Sequence, residues 1–378
     1  MEAMNNNLRS TNEIIWDELR KYFLDPEKDY PEPHFLFDYN GVGFSPIGGI
    51  QAISGQKKNG KTFVFAQLMA VVLRTDSKRI SEYLPGLSAR QSTIEWLGHS
   101  PVVLYCDTEM EKLNTAKVLR RVHWLCEWDM KERNERFFVM CLREVPKGET
   151  QSANKERWRL IKNAIDQVSP DIVFIDGLRD LVNNFNDNEE SAAIVNEMMS
   201  IASKRNICIW NVLHMNPRPR NDDESKMRGH LGTELGNKVS DTFISIKKKD
   251  PAGNVTFTVK QQDARGKDVE DWNFIVTDDA GDLGIPRIIQ PTVLKDASEI
   301  ITDDVFTLFR EMLPKGKSQR WSDIRNKLLE EFHCSKDHAK KIIDIAQKKG
   351  VLEPFKIGNG YVYSFNYKDY ADNNDFPF

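Results

Sequence analysis

Residues 45–290 predict an α/β fold in which a largely parallel sheet carries a phosphate-binding loop, and residues 299–378 predict a smaller module of three helices and a hairpin. Three observations predict this. A glycine loop stands between an apolar extended segment, residues 47–54, and a helix with apolar residues at helical spacing. Two later segments, 102–106 and 172–175, are continuous apolar runs ending in Asp107 and Asp176, as strands buried on both faces of a parallel sheet do. After residue 298 the pattern changes to three helical periods and a short pair of strands about Gly-Asn-Gly.

Composition sets bounds on function. A chain of 378 residues is long enough for two domains, and 29% charged with 40% hydrophobic residues is an ordinary globular mixture. A net charge of −4 excludes a globally basic nucleic-acid binder while leaving local basic patches open. Cysteines 106, 126, 141, 208 and 334 have no CxxC spacing, so neither a zinc site nor a disulfide framework is expected, and reduced thiols fit a cytoplasmic protein. No segment has the apolar length of a membrane span, and Met1–Ser10 lacks a signal-peptide core.

In chain order, residues 1–44 read as a lead. A helix is expected over Thr11–Phe23, with Ile14, Ile15, Leu19 and Phe23 on one face, followed by an extended arm or lead-in over 25–35, where three prolines forbid regular structure. The loop comes next. Gly55, Gly60, Lys61 and Thr62 satisfy the P-loop pattern G-x-x-x-x-G-K-[ST]. The backbone from Gly55 through Gln56, Lys57, Lys58, Asn59 and Gly60 to Phe63 is expected to wrap the phosphates of ATP, assisted by the positive end of the following helix. Lys61 reaches the β- and γ-phosphates, and the Thr62 hydroxyl binds Mg2+.

A loop-rich insertion is expected near 75–100, then the strand that ends in Asp107, Thr108 and Glu109 and a helix carrying Leu113, Ala116, Leu119 and Val122. Ligands of open α/β sheets sit at the carboxyl ends of strands, so Glu109 falls on the P-loop edge. It can orient or deprotonate a water, or merely cap the next helix. After a polar connection, 143–155, and a helix, Glu156–Val168, the run Ile172–Ile175 and Asp176 has the Walker B form, with Asp176 holding the Mg2+ through water. A polar loop, Asn183–Glu190, a helix, Ser191–Lys204, and a strand, Ile207–Leu213, lead to His214.

Taken together, DTE at 107–109, IDGLRDL at 175–181, VLH at 212–214 and RGHLGTELGNK at 228–238 resemble the RecA-like ATPases, and within them the RepA-type replicative helicases and related mobile-element ATPases. The resemblance covers roughly residues 45–290. It implies a RecA-like P-loop NTPase core with Glu109 as catalytic base and His214 as the residue that senses the γ-phosphate. It also implies a homo-oligomeric ring, a hexamer, with DNA in its channel. The loop His214–His230 then faces that DNA through Arg218, Arg220 and Lys226, although Asp222, Asp223 and Glu224 equally suit a solvated loop.

Strands are expected over Thr242–Lys248 and Val255–Gln261, joined by the turn DPAGN. The stretch QQDARGK that follows sits where the helicase and clock-type members keep cations that enter the neighbouring subunit's site, which makes Arg265 the candidate finger, Lys260 or Lys267 its companion, and Arg228 the competitor. NKVSD at 237–241 misses the guanine-reading N-K-x-D by one residue. Residues 271–286 close the core, and 291–298 lie in a linker.

The last segment, 299–378, reads as helices Ile300–Leu313, Trp321–Phe332 and Ser335–Lys349, then a hairpin over 351–365. That order is a winged helix, whose third helix carries Lys336, Lys340 and Lys341 toward DNA, or serves a protein partner. The expected function is a DNA-dependent ring ATPase, a helicase or translocase. The alternatives are an ATP-gated DNA-binding or loading protein that unwinds nothing, and a regulatory ATPase.

Overall fold

The computed structural model describes residues 15–16, 19–20, 22–30, 32–147, 152–215, 227–249, 253–289, 303–332, 336–358 and 360–367. Arg218, Arg220 and Lys226, most of the DPAGN turn, the linker 291–298 and the expected cap Ser335 lie outside them. Two compact units divide the chain, Met1–His34 and Phe35–Phe378. Within the first, residues 15, 16, 19 and 20 are helical, and Tyr30 Oη accepts the Asp25 N–H at 2.7 Å, which closes the acidic, proline-flanked turn.

The second unit opens with a hairpin, β1 (Phe35–Tyr39) and β2 (Val42–Pro46), turning at Asn40–Gly41 with both residues at positive φ. The expected boundary at residue 44 therefore falls inside a strand. The sequence reading missed this hairpin because its strands are short and follow the proline-rich lead directly. β3 (Ile50–Gly55) is buried along its whole length and ends in the P-loop, from which helix α1 (Lys61–Leu73) departs. The stretch expected to be loop-rich is ordered as α2 (Lys78–Tyr83), β4 (Leu87–Ala89) and α3 (Gln91–Leu97).

Alternation then continues with β5 (Val103–Asp107), α4 (Lys112–Leu125), β6 (Phe137–Cys141), α5 (Ala153–Val168), β7 (Ile172–Asp176), α6 (Asn188–Arg205), β8 (Cys208–His214) and α7 (Gly229–Lys238). The core ends in β9 (Asp241–Lys249), β10 (Val255–Ala264), β11 (Trp272–Thr277) and β12 (Ile285–Ile289). These strands form a nine-stranded sheet in the order β12-β11-β10-β9-β3-β8-β7-β5-β6. From β9 to β6 all neighbours are parallel, and β10 to β12 extend the sheet as an antiparallel meander. This large, mainly parallel sheet fits a P-loop NTPase core.

Each face of the sheet has its own core. One packs Phe65, Phe174, Trp210, Phe243 and Trp272 around α1 and α4; the other packs Trp158, Ile161, Met198, Leu231 and Leu235 from α5, α6 and α7. α1 is buried nearly all round, because the small sheet β2-β1-β4 covers the side that a surface helix would expose. Even Gln67 is buried there, accepting the Trp272 indole N–H at 3.1 Å. A polar staple fixes that cover: Asp241 accepts the Ser45 N–H at 2.8 Å and Gln261 Nε2 at 2.9 Å, and Trp210 Nε1 donates to Ser45 Oγ at 2.9 Å. Buried polar groups need such partners, so the staple fixes β2 against the sheet as well as satisfying them.

Further along lie α8 (Asp303–Met312), β13 (Gln319–Arg320), α9 (Trp321–Phe332), α10 (Lys336–Lys348), β14 (Leu352–Ile357) and β15 (Gly360–Phe365). Val305, Phe309, Ile324, Leu328, Ile342, Ile343 and Phe365 form their own core. The strands are antiparallel in the order β13-β15-β14, with β13 too short to be seen in sequence.

Candidate active site

The P-loop begins where β3 runs out. Gly55 has φ 150° and a Cβ there would stand 2.6 Å from the Ser245 carbonyl of β9; at Gly60, φ 85°, it would strike the Phe257 ring at 2.7 Å. Asn59 Nδ2 donates to the Ser245 carbonyl at 3.2 Å, so β9 holds the loop from the side. Lys58 adopts the left-handed conformation at φ 64°, and Lys57 and Lys58 are both exposed. Helix α1 has Gly60 as its N-cap, with no side-chain cap and no acidic residue in its first turn, which leaves its positive end open to an anion.

Lys61 is buried, and its Nζ donates to the carbonyls of Gly55 at 3.1 Å and Gln56 at 2.8 Å. Burial pulls its ammonium down to about 8, against the opposing attraction of Asp176 and Glu109. Thr62 Oγ1 donates to Asp176 Oδ2 at 2.8 Å. Tyr105 Oη donates to the same oxygen at 3.0 Å. Burial, with Asp107 nearby, raises the Asp176 carboxyl to about 6.

Strand order assembles the rest. β8 lies between β3 and β7, with His214 paired to Gly55, while Asp176 pairs with Asp107 across β7 and β5. His214 thus stands between the P-loop and the carboxylates, with Nε2 3.3 Å from Glu109 Oε2. That hydrogen bond is the chief reason the Glu109 carboxyl titrates below its usual range. The capping alternative is not seen: the following helix has Glu111 at its N-cap and no side-chain cap. Asp107 accepts the N–H groups of Glu109 at 3.0 Å and Met110 at 2.9 Å and the Thr115 hydroxyl at 2.7 Å, and Glu109 turns to His214.

Gly177 lets these pieces meet. At φ 111° its Cβ would fall 2.1 Å from Thr108 Oγ1 and 2.7 Å from Glu109 Cγ. The Thr108 hydroxyl donates to the Gly177 carbonyl at 2.8 Å. Sequence reasoning passed over Gly177, Thr108 and Tyr105; the glycine directly after the Walker B aspartate was the one signal that could have pointed to a close approach.

The two candidate fingers lie in different places. The Arg228 N–H donates to the His214 carbonyl at 3.0 Å, and its guanidinium lies 5.0 Å from the Phe185 ring, as does that of Arg179. Arg228 is therefore a neighbour of its own site. Arg265 is exposed and follows Ala264, which pairs with Asp241; Asp241 pairs with Gln51 near the start of β3, while the P-loop leaves its end. Arg265 stands at the opposite edge of the sheet. Lys260 pairs with Asp271 at 3.6 Å, and Lys267 is exposed. On α10, Lys336, Lys340 and Lys341 are exposed while Ala339, Ile342, Ile343 and Ala346 are buried.

The P-loop is an open cradle. A separate cavity of about 620 Å³, lined by Arg74, His99, Trp128 and Arg136 among others, lies by the far end of α1. Among the described residues no cluster of three or more His, Cys, Asp or Glu could hold a metal, Cys106, Cys126, Cys141 and Cys208 are free, and no helix is long and apolar enough to cross a membrane.

Comparison with known proteins adds one match. No curated protein matches the chain. A family model described as an AAA domain matches residues 38–217, the span from β1 through the P-loop, Glu109 and Asp176 to the residues just past His214. That match, on the geometry described, supports a nucleotide-binding P-loop ATPase of the AAA/RecA-like class.

Proposed function

We propose that the chain is a DNA-dependent ring ATPase of the RepA-like kind, a helicase or DNA translocase serving a mobile element. The observation that carries the ATPase chemistry is the Glu109–His214 pair, held at 3.3 Å on two strand ends beside the P-loop. Lys61 exchanges its two carbonyl partners for the β- and γ-phosphates of ATP. Glu109 accepts the proton of the attacking water, and His214, on the strand between, is placed to register whether the γ-phosphate is present.

Thr62 and Asp176 fit a Mg2+ ion. Their donors are hard oxygens that face one another at 2.8 Å, and the buried Asp176 carboxylate lacks a cation in hydrogen-bonding contact among the described residues. One hydroxyl oxygen taken directly and one carboxylate reached through water would suit Mg2+, which keeps several waters and takes phosphate oxygens for the rest of its shell. Held there, the ion would supply neutralisation of charge on the transferring phosphoryl group.

The ring reading is supported by Arg265, which has no route to its own P-loop and is exposed at the opposite edge. A neighbouring subunit's site is where its charge would act. DNA contact is assigned to Arg218, Arg220 and Lys226, and to the exposed lysines of α10 if residues 299–378 work as a winged helix. The deciding experiment is ATP turnover with and without single-stranded DNA, alongside native mass and a strand-separation assay. Stimulation by DNA in a hexamer with unwinding is the expected result; a monomer indifferent to DNA overturns the reading, and a DNA-stimulated ring that separates no strands makes it a loader.

A further inference from the structure

We propose that Tyr105 is a positioning residue, holding the Asp176 carboxylate in the orientation that receives the divalent cation; this rests on the cation role given to Asp176 above. Tyr105 lies on β5, paired with Phe174 of β7, and is fully buried in the aromatic core beneath the P-loop helix. Its hydroxyl donates to Asp176 Oδ2 at 3.0 Å, and Thr62 Oγ1 donates to that same oxygen at 2.8 Å. The two donors differ in what else they are asked to do.

Thr62 opens a helix at the phosphate cradle, and its oxygen is needed by the cation once nucleotide binds. That oxygen binds through a lone pair, so its O–H still donates to Asp176 Oδ2, but its position then answers to the cation and the phosphates as well. Tyr105 has no such second task. Its ring is locked in a packed core, with two side-chain torsions and a β-strand backbone behind it, so its hydroxyl holds Oδ2 from a position that nucleotide and cation do not move. Both bonds go to Oδ2 and neither to Oδ1, which would leave Oδ1 to the cation's water shell.

Arg121 braces the neighbouring helix turn from α4. It is buried, its Nε donates to the Gly284 carbonyl at 2.7 Å, and its guanidinium lies 4.2 Å from the Phe63 ring. Phe63 adjoins Thr62 and packs against the core that contains Tyr105.

Tyr105→Phe removes the hydroxyl and keeps the ring. Fluorescent ADP binding is measured with and without Mg2+ on the full chain. The expected result is unchanged affinity in EDTA, and a rise of about tenfold in the Mg2+ concentration that gives half of the Mg2+-dependent tightening, as for loss of one hydrogen bond to a charged group. In an Asp176→Asn background the same substitution should add nothing. A shift in Tm with an unmoved Mg2+ curve, or an effect undiminished by Asp176→Asn, overturns the proposal and leaves a structural tyrosine. If wild-type binding is not tightened by Mg2+ at all, the cation role of Asp176 fails first, a distinguishable outcome. Should Tyr105→Phe not fold, 3-fluorotyrosine and 4-aminophenylalanine at this position give stronger and weaker donors, and Mg2+ half-saturation must follow donor strength.

Discussion

Lys61 is the residue on which nucleotide binding turns, and its surroundings give that binding a pH signature. In nucleotide-free protein its ammonium titrates at about 8, because burial outweighs the carboxylates near it. A polyphosphate placed against it favours the charged form and raises that value. Binding therefore takes up a proton above pH 8. Affinity for ATP should be flat below about pH 7 and fall above pH 8 toward the tenfold-per-unit limit of a single linked proton. Calorimetry in buffers of different ionisation enthalpy measures the uptake; no proton exchange at pH 8.5 would contradict the assignment. Lys61→Ala should abolish turnover at every pH. Glu109→Gln should keep ATP binding and lose roughly 10² to 10⁴ in turnover, since an amide cannot accept the proton; equal losses in binding and turnover, read by the same two assays, would make Glu109 structural.

At the scale of elements, the register of β5 against β7 decides the site. Gly177→Ala puts a methyl group where Thr108 Oγ1 stands 2.1 Å away, at a φ of 111° that L residues adopt at a cost of about 1–3 kcal/mol. Thermal unfolding should show the loss as a lower Tm, and turnover should fall with it because Glu109 is displaced. Adding Thr108→Ala should restore part of the Tm, since it removes the shorter clash and leaves the contact with Glu109 Cγ and the backbone strain. The strands that form this register were legible in the sequence because each is a continuous apolar run closed by an aspartate. The P-loop was legible for the same local reason, and Asp176 and Glu109 followed from their strand ends. Other features were not local. β1, β2 and β4 declare themselves only by covering α1, and a helix buried on its outer side has no polar stripe to report. The partnership of Glu109 with His214 depends on β8 entering between β3 and β7, a fact of topology that no single segment carries.

For the whole molecule, Arg265 is the test of assembly. Arg265→Ala should leave ATP affinity nearly unchanged and reduce turnover by roughly 10³ or more if it acts on a neighbour. Mixing that protein with Lys61→Ala protein should restore some activity, because an intact P-loop then meets an intact arginine at some interfaces. No recovery in demonstrably mixed oligomers would pass the role to Arg228, which borders its own His214. The strand end at His214 has one more consequence. Met215 bridges Met227, and the Arg228 N–H closes on the His214 carbonyl, so the chain leaves the sheet and returns to it at one point. The ends of residues 216–226 are joined whatever lies between them. Doubling the length of that stretch should cost only about 0.6 kcal/mol in closure entropy. It is therefore a place to graft a reporter sequence: the fold is indifferent to its size, while its stem is one hydrogen bond from Glu109.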